Sequence, residues 1–160
     1  MSERESIDGG IFGADSPCFG CAPHHPIGFK LAFGREGETV TTRFTPGTQY
    51  QGPPGIMHGG LVTALADELA AWAIIAVKGQ FGFTTEISAR LAGAMRVGKE
   101  IVGTAKITKD LRRIVEVDCV LAQGGVDAYT ARFKFVVLDR AGAERLLGGP
   151  LPESWARFAR

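Results

Sequence analysis

The chain has little cysteine and no excess of charge of either sign. Its 160 residues include three cysteines, an odd and small number that does not favour a disulfide framework, so we expect reduced thiols. Eighteen Lys and Arg residues balance 17 Asp and Glu residues, for a net charge of +1. Such a chain offers no broad basic surface to a polyanion, and we expect neither nucleic acid nor an anionic membrane as a partner.

The sequence also lacks the features of a secretory leader or a membrane anchor. The N-terminal stretch MSERESIDGGIFG is acidic and polar, without the apolar core of a signal peptide, so we expect a cytoplasmic protein. The longest apolar run, residues 61–77, contains Asp67 and Glu68 and is short for a bilayer crossing. This run therefore indicates a buried core helix.

Glycine is the residue that the chain has in abundance. Its 22 glycines are about twice the usual number and predict many turns or close backbone approaches. The length predicts a single domain over residues 1–160. Within it we expect a flexible tail over residues 1–16, which carry few large apolar side chains, and a loop rich in Cys, Pro and His over residues 17–28.

The hydrophobic pattern predicts one long helix and about six strands. Residues 29–33 and 38–44 read as a hairpin, and residues 59–78 as a helix that is apolar on nearly every side. Four runs of strand composition follow, at residues 83–91, 100–109, 114–122 and 128–138. A short helix is expected near the C-terminus, within residues 150–160. An all-round apolar helix must be enclosed, so we predict an α+β fold in which a curved antiparallel sheet wraps around it.

An acidic residue inside this helix needs a physical reason. Asp67 lies nine residues after His58, and an isolated carboxylate in a dry core is unfavourable by several kcal/mol. It must be paired, hydrogen-bonded, at a subunit surface or exposed to a substrate cleft, and the spacing alone leaves these alternatives open. Glu68 is a rival, about 100° further round the helix. Only one of the two can easily share a cleft with the glycine-rich loop before the helix.

Two stretches resemble the hotdog-fold acyl-CoA thioesterases, in the branch that includes the phenylacetate-pathway (PaaI-like) enzymes. They are CFGCAPHHPIGFKLAF and YQGPPGIMHGGLVTALADE, in which HGG is followed after six residues by Asp, and TTEISARL after the helix adds to the match. The resemblance covers residues 18–138. It implies a hotdog domain, an acyl-CoA substrate, and a homodimer, alone or paired into a homotetramer, with two active sites at the subunit interface.

The resemblance assigns roles to individual residues. Asp67 corresponds to the catalytic carboxylate, as general base or as nucleophile, and the N–H of Gly59 to the donor that polarises the thioester carbonyl. His58 corresponds to the histidine that shapes this turn, and Thr84 to the residue that positions water across the interface. A backbone-bonded loop histidine and an ordinary strand threonine are the alternatives. Further candidate substrate contacts are Gln51, Gly60, Glu68, Phe83, Thr85 and Arg90.

Cys18 and Cys21 form a CxxC pair with His24 and His25 nearby. This spacing is found among zinc ligands, but one pair without a second matched pair favours a loop whose small thiols pack against the sheet. We therefore expect neither a metal nor a cofactor.

Hydrolysis of an acyl-CoA or a related thioester is the function that these features predict. A non-catalytic acyl-CoA-binding or sensing protein on the same scaffold is the main alternative. A hotdog hydratase or dehydratase is less favoured, because the Asp/His pattern of those relatives is absent. An acid inside an apolar helix favours the enzyme, since a pure binder has little need of one.

Overall fold

A computed structural model describes residues 3–160 of the chain. Within this range the chain forms three α-helices, α1 (Gly59–Lys78), α2 (Arg140–Leu147) and α3 (Glu153–Ala156). It also forms seven strands: β1 (Glu5–Ile7), β2 (Phe33–Glu36), β3 (Thr39–Phe44), β4 (Gly82–Leu91), β5 (Ile101–Asp110), β6 (Ile114–Gln123) and β7 (Val126–Val137). The strands form one antiparallel sheet in the order β1-β2-β3-β5-β6-β7-β4.

Helix α1 is the centre of the core. It begins and ends at the predicted residues, with His58 as its N-cap and Gly79 in the left-handed conformation at its C-terminus. It is long and apolar enough to cross a membrane by composition alone, but it packs against strands β2 to β7. Nine of its residues are buried there: Val62, Leu65, Ala66, Leu69, Ala70, Trp72, Ala73, Ile74 and Ile75. The predicted α+β hotdog architecture is confirmed.

The N-terminal segment differs from the predicted flexible tail. Strand β1 pairs with β2 and brings the sheet to seven strands instead of about six. Phe12 is only 4% exposed, and its ring packs against those of Trp72, Trp155 and Phe158. Burial of this aromatic ring and pairing of the β1 backbone hold a segment whose composition is otherwise polar. Residues 1 and 2 of the predicted tail lie outside the described residues.

The first predicted strand is displaced. Residues 29–32 do not belong to the sheet, and Lys30 has a positive φ of 53°. Phe29 and Leu31 instead donate backbone hydrogen bonds to Phe19 and Gly20, at 2.9 Å each. These bonds fix the Cys-rich loop, residues 17–28, against the rest of the domain.

Strand β4 forms one edge of the sheet. It pairs with β7 on one side, and among residues 3–160 no strand pairs with its other side. Three large apolar side chains on β4 are half exposed: Phe83 at 50%, Ile87 at 46% and Leu91 at 53%. A long open edge with exposed apolar side chains is a surface on which a second strand can add.

Candidate active site

The glycine-proline loop fixes the position of the α1 N-terminus. Gly52 donates to the Ile56 carbonyl at 2.8 Å, and His58 donates to the Tyr50 carbonyl at 2.9 Å. Met57 donates to the Met95 carbonyl at 2.8 Å, which ties the loop to the chain beyond β4. The first turn of α1 is therefore held by backbone bonds on two sides.

The first turn leaves one backbone donor free. His58 Nδ1 accepts the Gly60 N–H at 3.0 Å, and the His58 carbonyl accepts from Leu61 and Val62. Within residues 3–160 the Gly59 N–H has no hydrogen-bond acceptor. It lies at the positive end of the helix dipole, where unpaired N–H groups favour a partial negative charge. His58 thus shapes this turn as its N-cap, and Gly60 provides the backbone N–H that the His58 side chain accepts.

A small cavity of about 230 Å³ adjoins this donor. We call it the Gly59 cavity; its lining includes Gly59, Val62, Leu91, Met95 and Tyr129. A Cβ atom on Gly59 would lie 3.1 Å from Leu91 Cδ2. The absence of a side chain at this position keeps the approach to the N–H open.

Asp67 lies two turns further along α1 and is half buried. Its Oδ1 accepts a hydrogen bond of 2.6 Å from Thr84 Oγ1 on β4. Burial raises the pKa of the Asp67 carboxyl above its ordinary value; the Thr84 hydrogen bond partly opposes this effect, and the charge of Glu68 adds to it. A carboxyl group with a raised pKa is a stronger base than an ordinary carboxylate and therefore suits proton transfer. The Thr84 contact forms within one chain, whereas the resemblance implied a contact across an interface.

A second cavity, of about 400 Å³, opens beside this carboxylate. We call it the Asp67 cavity. Thr84 and Glu68 also line it, together with five aromatic side chains: Phe12, Trp72, Phe81, Phe83 and Trp155. An apolar cavity with a few polar groups at one place is typical of a site for a largely apolar ligand.

The free donor and the carboxylate cannot meet within one chain. Gly59 and Asp67 are eight residues apart, which is about 12 Å along a helix. The Gly59 cavity and the Asp67 cavity share no lining residue. Neither Asp67 nor Glu68 therefore shares a cleft with the glycine loop of its own chain.

Glu68 and Phe83 are the predicted substrate contacts that line the Asp67 cavity. Glu68 Oε1 accepts from Trp72 Nε1 at 3.0 Å and from the Cys18 thiol at 3.3 Å. Its carboxylate is thus held by its own chain.

Three other predicted contacts lie away from both cavities. Gln51 Oε1 accepts the Gly55 N–H at 3.1 Å and so braces its own loop. Thr85, at the β4 bulge, donates to the Lys134 carbonyl at 3.1 Å. Arg90 lies beside Asp118 and Arg132 in a groove that neither Asp67 nor Gly59 lines.

Sequence reasoning missed the parts of the Asp67 cavity that come from the chain termini and the Cys-rich loop. Phe12 belongs to a segment predicted as a tail, although Ile11 and Phe12 form an apolar pair within polar sequence. Cys18 and Cys21 were expected to pack against the sheet, but they line this cavity beside Glu68. Trp155 lies in α3, within the segment predicted as a short helix.

Comparisons with known proteins agree with this fold. Residues 54–127 match the family model described as Thioesterase superfamily. A solved thioesterase superfamily protein shares 23% identity and a TM-score of 0.71 over 85% of this chain and 68% of its own. Zebra fish thioesterase superfamily member 2 shares 21% sequence identity with a TM-score of 0.68. The match covers 81% of this chain and 92% of that protein. A hypothetical thioesterase from Streptococcus pneumoniae TIGR4, solved with coenzyme A, shares 19% sequence identity with a TM-score of 0.59. The match covers 62% of this chain and 80% of that protein. No curated protein matches the sequence.

An antiparallel sheet around one central helix is the architecture of the hotdog fold, and here an acid lies inside that helix and a free N–H at its start. The matched segment contains Gly59, Asp67 and Thr84. The family match covers a little under half of the chain, and the solved structures share its hotdog fold.

Proposed function

We propose that this protein hydrolyses an acyl-CoA, or a related acyl thioester, to a carboxylic acid and a free thiol. The observation that carries the proposal is the half-buried Asp67 carboxylate, hydrogen-bonded to Thr84 at the wall of an aromatic cavity. Its position at the wall of a cavity distinguishes it from a carboxylate that is buried in the core and only hydrogen-bonded there. The Asp67 cavity accepts the acyl group, and the match to the superfamily supports a thioester as the scissile bond.

The two halves of the site come from two copies of the chain. About 12 Å along α1 separates Gly59 from Asp67, so a single carbonyl can reach both groups only if each belongs to a different subunit. The open edge of β4, with half-exposed Phe83, Ile87 and Leu91, supports a homodimer in which two sheets join edge to edge. Leu91 borders the Gly59 cavity and Phe83 borders the Asp67 cavity. The open edge of β4 therefore adjoins both halves of the proposed site.

The reaction then needs only proton transfer and charge stabilisation. Asp67 removes a proton from water, and the resulting hydroxide attacks the thioester carbonyl. The Gly59 N–H of the other subunit stabilises the negative charge that develops on the carbonyl oxygen. Collapse of the tetrahedral intermediate breaks the C–S bond. The sulfur departs as a thiolate, a good leaving group because thiols are moderately acidic, and Asp67 returns its proton to solvent or to that thiolate.

The test of this function is thiol release from a panel of short, medium, long and aromatic acyl-CoAs by the purified protein. We expect release, strongest with an acyl group that fills the aromatic cavity. A binder on the same scaffold would instead be stabilised against heat by these ligands without releasing thiol. That outcome would replace the hydrolase with an acyl-CoA-binding function.

The pH dependence of hydrolysis is expected to follow the Asp67 carboxyl. Since only the ionised form accepts a proton, kcat/KM should fall as the pH decreases through the raised pKa of Asp67. Thr84→Val removes the hydrogen bond that lowers this pKa, so the acid limb should move to higher pH. Thr84→Ser keeps a hydroxyl and serves as the control with an unshifted limb. A profile that is identical in Thr84→Val and wild type would show that another group controls the rate.

A further inference from the structure

Three potential metal ligands from two distant parts of the sequence converge at the Asp67 cavity. Cys18 Sγ, Cys21 Sγ and a carboxylate oxygen of Glu68 all lie within 4.8 Å of one another. Cys18 Sγ lies 3.3 Å from Glu68 Oε1. In a tetrahedral zinc site, with Zn–S near 2.3 Å and Zn–O near 2.0 Å, ligand atoms are about 3.5–3.8 Å apart. Small side-chain movements would therefore bring the three groups to coordination distance.

The loop that carries the two cysteines is shaped around Glu68. Gly20 lies between the cysteines, and a Cβ atom there would lie within 2.6 Å of the Glu68 side chain. The Gly20 carbonyl accepts from Leu31 at 2.9 Å, which anchors the loop to the rest of the domain. The Cys21 N–H points to Cys18 Sγ at 3.4 Å, and such a contact stabilises a thiolate. Only glycine at position 20 allows this close approach.

In the part of the chain that the structure describes, the carboxyl groups beside this cluster have no cationic partner. Asp67 and Glu68 line one cavity with Cys18 and Cys21, whose thiols become thiolates when they bind a metal. Among residues 3–160, no Lys, Arg or His lines that cavity, and Glu68 takes part in no salt bridge. A cation is the component that would balance the charge of this half-buried cluster.

We propose that Cys18, Cys21 and Glu68 bind a zinc ion. Two thiolates and one carboxylate select a thiophilic divalent metal over Mg²⁺ or Ca²⁺. Coordination releases the two thiol protons to solvent. Three protein ligands leave the fourth tetrahedral position for water on the cavity side. Trp72 Nε1, which donates to Glu68 Oε1 at 3.0 Å, orients the carboxylate ligand.

This site reverses the expectation of no metal, and it differs from the zinc site with histidine ligands that the CxxC spacing would allow. Next to a CxxC pair, His24 and His25 are the obvious further ligands. Neither belongs to the cluster: His25 Nδ1 accepts the Ile27 N–H at 3.3 Å, and its ring packs against Phe19. The third ligand is instead a helix residue 50 positions from Cys18. The inference does not rest on the proposed hydrolysis, because the ligands are present whether or not the protein turns over a thioester.

The test measures metal content in the full chain, purified under reducing conditions without chelator. We expect one zinc ion per chain by elemental analysis, and its loss in Cys18→Ser and Cys21→Ser. The double variant His24→Ala/His25→Ala is the matched control and should keep its zinc. Asp67→Asn should also keep it while losing hydrolysis, which separates a failure of this proposal from a failure of the proposed function.

A second readout does not depend on the folding of variants. Wild-type protein stripped with a chelator and refilled with Co²⁺ should show thiolate-to-metal charge transfer and the intense visible bands of tetrahedral cobalt. Folded, reduced protein that holds no zinc and gives no such bands would overturn the proposal. Zinc retained in both cysteine variants, or a Cys18–Cys21 disulfide in the protein as purified, would overturn it as well.

Discussion

Asp67→Asn is expected to lower kcat/KM for acyl-CoA hydrolysis by about 10²–10⁴-fold, the usual contribution of a general base. Asn has almost the same shape, and its amide oxygen can still accept the hydrogen bond that Thr84 donates. What it loses is the ability to take a proton from water. The measurement is the initial rate of thiol release across substrate concentrations, since a loss confined to KM would indicate binding instead of chemistry.

Stability provides the control for this variant. Because burial raises the pKa of Asp67 in the folded state, the ionised carboxylate disfavours folding at any pH above that raised value. The penalty appears as the pH rises from the ordinary carboxyl pKa through the raised one, and Asn removes it. The melting temperature of Asp67→Asn at neutral pH should therefore equal or exceed that of wild type. Wild-type turnover by a folded Asp67→Asn protein would remove Asp67 from the mechanism.

Gly59→Pro is expected to lower kcat by about 10²–10³-fold, the typical effect of removing one donor to a developing oxyanion. Proline removes the N–H at position 59, the first residue of α1, and adds a ring whose Cβ is matched by the alanine control. Proline is well tolerated at the first helical position. The preceding His58, at φ −59° and ψ 129°, already has the extended conformation that proline requires of its predecessor.

Gly59→Ala is the matched control, because it adds a Cβ but keeps the N–H. That atom would contact Leu91 Cδ2 at 3.1 Å, the flexible end of a half-exposed side chain that can move. Alanine should therefore retain most of the activity, while proline loses it. Equal losses in the two variants would show that the space at position 59, and not its N–H, is what the reaction needs.

The fold could be predicted from the sequence wherever the local pattern is strong. The bounds of α1 were predicted correctly because a capped helix without a polar face has few alternatives. The last four strands lie within two residues of their predicted bounds because they are long and bordered by turns. Strand β1 could not be predicted, since three residues of mixed polarity acquire their structure only by pairing with β2.

The candidate site could be predicted only in part. The position of Asp67 inside an apolar helix marked it as a candidate, and the candidate roles of Gly59 and Thr84 followed from the resemblance. That the two groups line separate cavities depends on the path of the chain in space, which no local pattern encodes. The same holds for the Cys18, Cys21 and Glu68 cluster, because a loop without regular structure brings the cysteines to α1.

The measurement that tests the central claim most directly is the activity of a mixed dimer of Asp67→Asn and Gly59→Pro chains. The two chains carry different affinity tags, and the doubly tagged species is purified and assayed for thiol release. Each parent is expected to be nearly inactive alone. If Asp67 and Gly59 act from different subunits, the mixed dimer has one intact site of two and should show about half of the wild-type activity. A mixed dimer as inactive as its parents would contradict a site shared between two copies.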